Sequence, residues 1–171
     1  MCPGGVETVE AERLWVASGT TERVSPVPGW TLPGVMGLAA TTALLKSQRV
    51  LPGQRPVVAG SGPLLWAVAS GIVAGGGMPA AVIDLADTRR WVSSLPALLS
   101  RPGDLLKGLG WMHSLRRQQV PVISNATVRK VWREGAPLMV VAHQRNRDGT
   151  LRRDGQGRHL SPDHFCPGYR L

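Results

Sequence analysis

The chain has 171 residues, which bounds it to a single domain of ordinary size with room for a real core. Twenty basic residues against 11 acidic ones give a formal net charge of +9, a balance that favours an anionic partner. The arginines are scattered, Asp148 and Asp154 interrupt the densest stretch at Arg145–Arg158, and one Tyr and one Phe make no stacking platform. A basic nucleic-acid-binding module is therefore the weaker alternative. Cys2 and Cys166 form no CxxC pair, so neither a redox motif nor a structural zinc site is signalled. No basic leader with an apolar segment precedes Val6, so the expected location is cytoplasmic.

Residues 1–12 are polar. Arg13-Leu14-Trp15-Val16-Ala17 is predicted to be a short buried strand, closed by Ser18-Gly19-Thr20. Residues 20–34 hold Pro26, Pro28, Gly29, Pro33 and Gly34 and suit an extended connector. Met36 to Gln48 has helical spacing, with Leu38, Leu44 and Leu45 on its packed side. Leu51-Pro52-Gly53 then turns the chain.

Val57–Asp84 is the organising stretch. Val57 and Val58 begin a strand that meets the glycine turn Gly60-Ser61-Gly62. A helix over Leu64 to Val73 follows, then a Gly75-Gly76-Gly77 brake and a second strand, Ala80 to Ile83, that ends on Asp84. This is the order of a dinucleotide-binding βαβ unit. Gly60 suits a tight turn, and Gly62, without a Cβ, lets backbone approach a pyrophosphate. Ser61 lies between them, while Pro63 and Leu64 open the helix, whose free N–H groups and dipole favour phosphate. Asp84 stands 24 positions after Gly60, near the roughly 20 expected of a carboxylate that holds a ribose 2′-hydroxyl. Leu65 occupies the third motif position, usually glycine, whose task is helix–strand packing rather than phosphate contact. The span from Pro56 to Ile83 has no charge, yet Pro63, Pro79 and the glycine brake divide it, which opposes a membrane span. A buried βαβ core without a ligand remains the plain alternative, because parallel strands are apolar whatever their function.

Residues 87–99 are predicted to be helical, with a break at Pro102-Gly103. Asp104–Gln119 should form another helix, with Leu105, Leu106, Leu109, Met112 and Leu115 as its apolar stripe and Arg116 and Arg117 at its negative end. Val120 to Ile123 gives a third parallel strand. Ala126–Arg133 and Leu138–Gln144 flank a hairpin turn, and Asp148-Gly149 and Asp154-Gly155 mark further turns before His159–Cys166. The expected class is thus α/β, a Rossmann-like parallel sheet with βαβ units and an antiparallel meander.

The residues also carry a resemblance. Trp15-Val16-Ala17-Ser18-Gly19-Thr20-Thr21-Glu22-Arg23 resembles the ATGA-x-x-R segment of flavoproteins with two dinucleotide-binding domains. With Pro26-Val27-Pro28-Gly29-Trp30-Thr31-Leu32-Pro33-Gly34-Val35, Leu44-Leu45-Lys46-Ser47-Gln48 and Gly60-Ser61-Gly62-Pro63-Leu64-Leu65, it narrows to one group. This group is the FAD-dependent, pyridine nucleotide-disulfide-reductase-like oxidoreductases: the alpha subunits of opine oxidase, the B subunit of hydrogen cyanide synthase and the alpha chain of sarcosine oxidase. The similarity runs from about Glu12 to Tyr169.

The resemblance implies a division of the chain. Residues 1–35 would be a remnant strand and connector of an FAD domain, residues 36–160 an NAD(P)-type dinucleotide-binding domain, and residues 161–171 the incomplete start of a return to the FAD domain. Cys166-Pro167-Gly168-Tyr169-Arg170-Leu171 resembles a C-x-G-Y-G-L strand end, with Arg170 where glycine is usual. It further implies FAD as the family cofactor, at a site incomplete here, as in a truncated product or one piece of a split subunit. NAD or another adenine nucleotide would occupy the visible site, a second oxidoreductase subunit would be the partner, and an amine- or opine-type compound the substrate. The alternative is a non-catalytic structural or interaction domain that keeps the βαβ fold.

Other constellations are weaker. His159, Asp163, His164 and Cys166 could each ligate zinc, but no second cluster completes a set of four. Arg89 and Arg90 could meet a 2′-phosphate, and no catalytic acid or base stands out.

Overall fold

Apolar runs too short for helices and bounded by glycine or proline become the strands of this protein. A computed structural model describes residues 8, 10–19, 22, 26–87, 102–133, 135, 138–146, 150 and 157–168. Helix α1 (Leu38–Ala43) continues as a five-residue π-helical turn, Leu44–Gln48, which Arg49 ends in a left-handed conformation at φ 53°. Strand β1 (Val57–Gly60), helix α2 (Pro63–Ala74) and strand β2 (Ala81–Asp84) follow. Helix α3 (Pro102–Arg117) leads into β3 (Val122–Ser124), then β4 (Ala126–Arg133), β5 (Leu138–Gln144), β6 (Arg158–Leu160) and β7 (Phe165–Gly168).

Two sheets result. The parallel one has the strand order β3-β2-β1-β7, and the antiparallel meander runs β4-β5-β6. Alternation along each parallel strand sends side chains to opposite faces. Val57, Ala59, Ala81, Ile83 and Phe165 meet the meander's inner side chains, among them Val131, Leu138 and Val140. Val58, Val82 and Cys166 meet α2 through Leu65, Val68 and Ile72, with Leu38 and Leu115 in the same cluster. The sheet is covered on both sides, which is why its strands are apolar except at Asp84 and Ser124, each the last residue of its strand. The expected α/β class, βαβ units and meander are all present. Among the described residues, no helix is long and apolar enough to cross a membrane.

Three expectations need correction. Arg13–Ala17 forms no strand and is not buried: Leu14, Trp15 and Val16 are 84%, 88% and 78% exposed. Apolar content makes a strand only where a neighbouring strand satisfies its backbone, and none pairs with this run among the described residues. Helix α3 begins at Pro102, two residues before the expected start, since a first-turn proline has no intrahelical N–H bond to lose. Its predicted stripe is only partly used. Leu115 is buried and Met112 half-buried, whereas Leu106 and Leu109 remain 69% and 53% exposed. The helix reaches the core through its C-terminal turns, where Trp111, Met112 and Leu115 meet the α2 cluster. The helix expected over 87–99, Arg89 and Arg90, and the turns at Asp148-Gly149 and Asp154-Gly155 lie outside the described residues.

Candidate functional site

The C-terminal ends of β1, β2 and β7 stand side by side, with Gly60 opposite both Asp84 and Gly168. Crevices at such strand ends are where open parallel sheets bind ligands. Gly60 is glycine for a reason other than the tight turn expected of it. Its φ is not positive; rather, a Cβ there would overlap the Gly168 carbonyl oxygen and lie 3.3 Å from Leu38 Cδ1. A Cβ on Gly168 would in turn collide with the Leu38 side chain. Two glycines in register thus let Leu38 of α1 lie over the strand ends. The Leu85 N–H donates to the Gly60 carbonyl at 2.9 Å and ties β1 to the exit of β2.

Gly62 is the N-cap of α2, at φ 84° and ψ −175°, with no side-chain cap. Nothing lies within 4 Å of where its Cβ would be, so the space beside it is open. Pro63 takes the first helical turn, and the Leu64 and Leu65 amides have no carbonyl one turn behind them. Two amides and the positive end of a 12-residue helix dipole therefore face that space. Leu64 is 44% exposed beside it, and Ser61 is half-buried. Leu65, at the third motif position, is fully buried against β1 and fills the gap that a closer helix–strand packing would otherwise close.

Asp84 ends β2 as the spacing predicts, but its carboxylate is enclosed. The residue has no exposed surface, Oδ1 accepts the Ala86 N–H at 2.9 Å in an Asx turn, and Oδ2 has no hydrogen-bond partner. Burial raises its pKa above the ordinary carboxylate range, and the Ala86 N–H bond opposes that shift. Cys166 on β7 is also buried. Burial pushes its thiol up to about 11, reinforced by Asp163 and Glu22 and opposed by a hydrogen bond with Thr41. Such a thiol is no nucleophile at neutral pH.

The other weighed residues do not converge. Asp163 Oδ2 accepts the Gln54 and Arg55 N–H groups at 2.6 and 2.8 Å and pins the turn before β1. His164 Nδ1 lies 3.7 Å from Asp163 Oδ1, while His159 stands on the meander with its ring against Trp132. Among the described residues no three potential metal-ligand side chains gather. Sequence reasoning missed Leu38 and Gly168, whose signal was the register of two glycines at adjacent strand ends. It also missed Glu22 as a cap: its Oε2 accepts the Ala39 N–H at 3.0 Å at the start of α1.

A βαβ unit with an open helix N-terminus, backed by a meander, invites comparison with known proteins. The A subunit of opine oxidase from Rhizobium meliloti is 37% identical over 127 residues, covering 71% of this chain and 28% of that protein. Hydrogen cyanide synthase subunit HcnB of Pseudomonas aeruginosa is 40% identical over 114 residues, 67% of this chain and 25% of that one. The chain is related to these oxidoreductase subunits. It spans about a quarter of the length of these opine oxidase and HcnB relatives. No family model matches it. The fold of this chain recurs in solved structures. A 2-naphthoyl-CoA reductase has a TM-score of 0.61 at 13% identity, over 90% of this chain and 19% of its own. The flavoprotein disulfide reductase RclA of Escherichia coli has a TM-score of 0.53 at 19% identity, over 85% and 26%. Thioredoxin reductase of T. acidophilum has 0.52 at 13%, over 90% and 42%. At these identities the likeness is one of fold alone.

Proposed function

We propose that this chain is the nucleotide-binding part of an FAD-dependent oxidoreductase that acts on an amine- or opine-type substrate together with a second oxidoreductase subunit. The unit assigned to residues 36–160 would hold NAD or another adenine nucleotide. Its pyrophosphate would lie at the start of α2, against Gly60, Ser61, Gly62, Pro63 and Leu64, with the ribose towards Asp84. The names of the curated relatives support the oxidoreductase and subunit parts of this reading. The observation that carries the nucleotide part is Gly62, which caps α2 at positive φ with open space where a side chain would stand. The unpartnered Oδ2 of Asp84 also fits a hydroxyl donor. In such enzymes FAD supplies the electron chemistry. This chain's own part would be to bind and orient a nucleotide.

A second reading keeps the βαβ unit as structure alone. The complete burial of Asp84, and the use of its Oδ1 within its own turn, favours it. Calorimetric titration of the chain with NAD, ADP-ribose and FAD separates the two. Saturable heat with the adenine dinucleotides supports a nucleotide site, and flat titrations with all three would leave the structural domain.

A further inference from the structure

The outer side of the meander has a chemistry that the nucleotide site does not use. A β-bulge between Val128 and Lys130 keeps both Val128 and Val131 on the core side and leaves Arg129 and Lys130 exposed. Lys130, Val141 and His159 stand in register across the three strands, and Trp132 lies opposite Met139. Trp132, Met139 and Val141 are half-buried and form an apolar centre. Around them the exposed Arg129 and Lys130 form a cationic rim with the exposed His159 beside it, and β4, β5 and β6 contain no carboxylate. The Lys130 ammonium lies 5.6 Å from the Trp132 ring centroid, and the His159 ring meets Trp132 edge-on at 5.8 Å.

We propose that this face docks a second protein chain, through a surface whose acidic residues ring an apolar centre. An apolar middle containing Trp and Met within a charged rim is the anatomy of a protein interface. The rim carries one sign of charge, so the complementary surface is acidic. A single-stranded nucleic acid would instead need aromatic faces free for bases, and Trp132 already has Lys130 over it and His159 at its edge. The inference rests on the proposed function only in taking the partner to be that second subunit.

The test uses the tagged full chain in the cells that produce it, with a zero-length carbodiimide cross-linker that joins an amine to a carboxylate. The expected result is a cross-link from Lys130 to an Asp or Glu of one co-purified protein. R129E/K130E should lower capture of that protein by about tenfold or more, as should about 1 M salt, where the Debye length falls to about 3 Å. H159E serves as a second variant should the bulge not tolerate reversal, and R116E/R117E on α3 should leave capture unchanged. Capture that survives R129E/K130E and H159E, or cross-links confined to other surfaces, would overturn the docking face while leaving the subunit reading intact. Nucleic acid that co-purifies and departs with the same variants would overturn it in favour of a polyanion site. No partner at all would overturn both the face and the subunit reading, while NAD titration of the same variants reports separately on the nucleotide site.

Discussion

Gly62→Ala tests the nucleotide reading most directly, and its effect divides into two measurable parts. At φ 84° and ψ −175° Gly62 occupies a region that is nearly exclusive to glycine, so a methyl group costs about 1–3 kcal/mol of backbone strain. The loss of chain freedom in the unfolded state returns about 0.4–1 kcal/mol. Nothing lies within 4 Å of the added Cβ, so no steric cost is added. The net loss is about 1–2 kcal/mol, or roughly 2–8 °C in melting temperature for a chain of this size. Alanine is well tolerated at most helix openings, and the positive φ reverses that here. If phosphate lies in the open space, the methyl group also lowers nucleotide affinity by about tenfold or more, equivalent to about 1.4 kcal/mol. Gly76→Ala separates the two effects. It too sits at positive φ, 89°, with nothing within 4 Å, but in the turn after α2. Both variants should therefore lose comparable stability in thermal melts, and only Gly62→Ala should lose affinity by calorimetry. Equal affinity in the parent and in a folded Gly62→Ala protein would refute a pyrophosphate at this helix.

NAD should bind more tightly than NADP in competitive titrations, because a carboxylate at the end of β2 accepts from a ribose hydroxyl and repels a 2′-phosphate; tighter NADP binding would remove Asp84 from the site. With Cys2 replaced by Ser, the remaining Cys166 should react with a disulfide reagent only after denaturant is added, since its thiol is buried with a pKa of about 11; prompt labelling of the native protein would contradict its packing. Asp84 makes stability depend on pH, and the sign follows from its raised pKa: the folded state keeps the proton to higher pH, so stability is greatest below the unfolded value of about 3.9 and falls as pH rises through the folded value. Asp84→Asn should flatten that part of the melting-temperature profile, and a profile parallel to the parent's would mean that folding does not raise the carboxyl's pKa.

The organising stretch was legible because several levels of its sequence agree. Val57 to Asp84 has β-branched runs at strand length, proline at the helix start and a glycine brake at its end, and strand, helix and strand each fall within a residue of the expected bounds, although Gly60 closes β1 rather than making the turn. The meander was legible from its hairpin spacing. The failures share a different cause. Arg13–Ala17 and the α3 stripe have the right local pattern, but pattern states only what a segment could bury; a partner surface decides whether it does. Leu106 and Leu109 match the helical period yet stay in solvent.

The site residues divide along the same line. Gly62 was singled out for its missing Cβ beside a pyrophosphate, and the structure adds a positive φ that the sequence reading did not foresee. Gly60 was identified for the wrong reason, because its constraint comes from Gly168 and Leu38, neither of which is near it in sequence. Asp84 was placed by a count of residues from Gly60, and the count does find the end of β2. Its hydrogen bonds are another matter: one carboxylate oxygen serves the Asx turn to Ala86, and the other has no partner and no contact with water. A buried acceptor left without a donor costs about 1–3 kcal/mol or more when charged. A hydroxyl donor from a ligand would remove that cost. The same unmet bond that destabilises the free fold at neutral pH is therefore the feature through which a ribose would stabilise it, and melting temperature should respond to NAD more strongly in the parent than in Asp84→Asn.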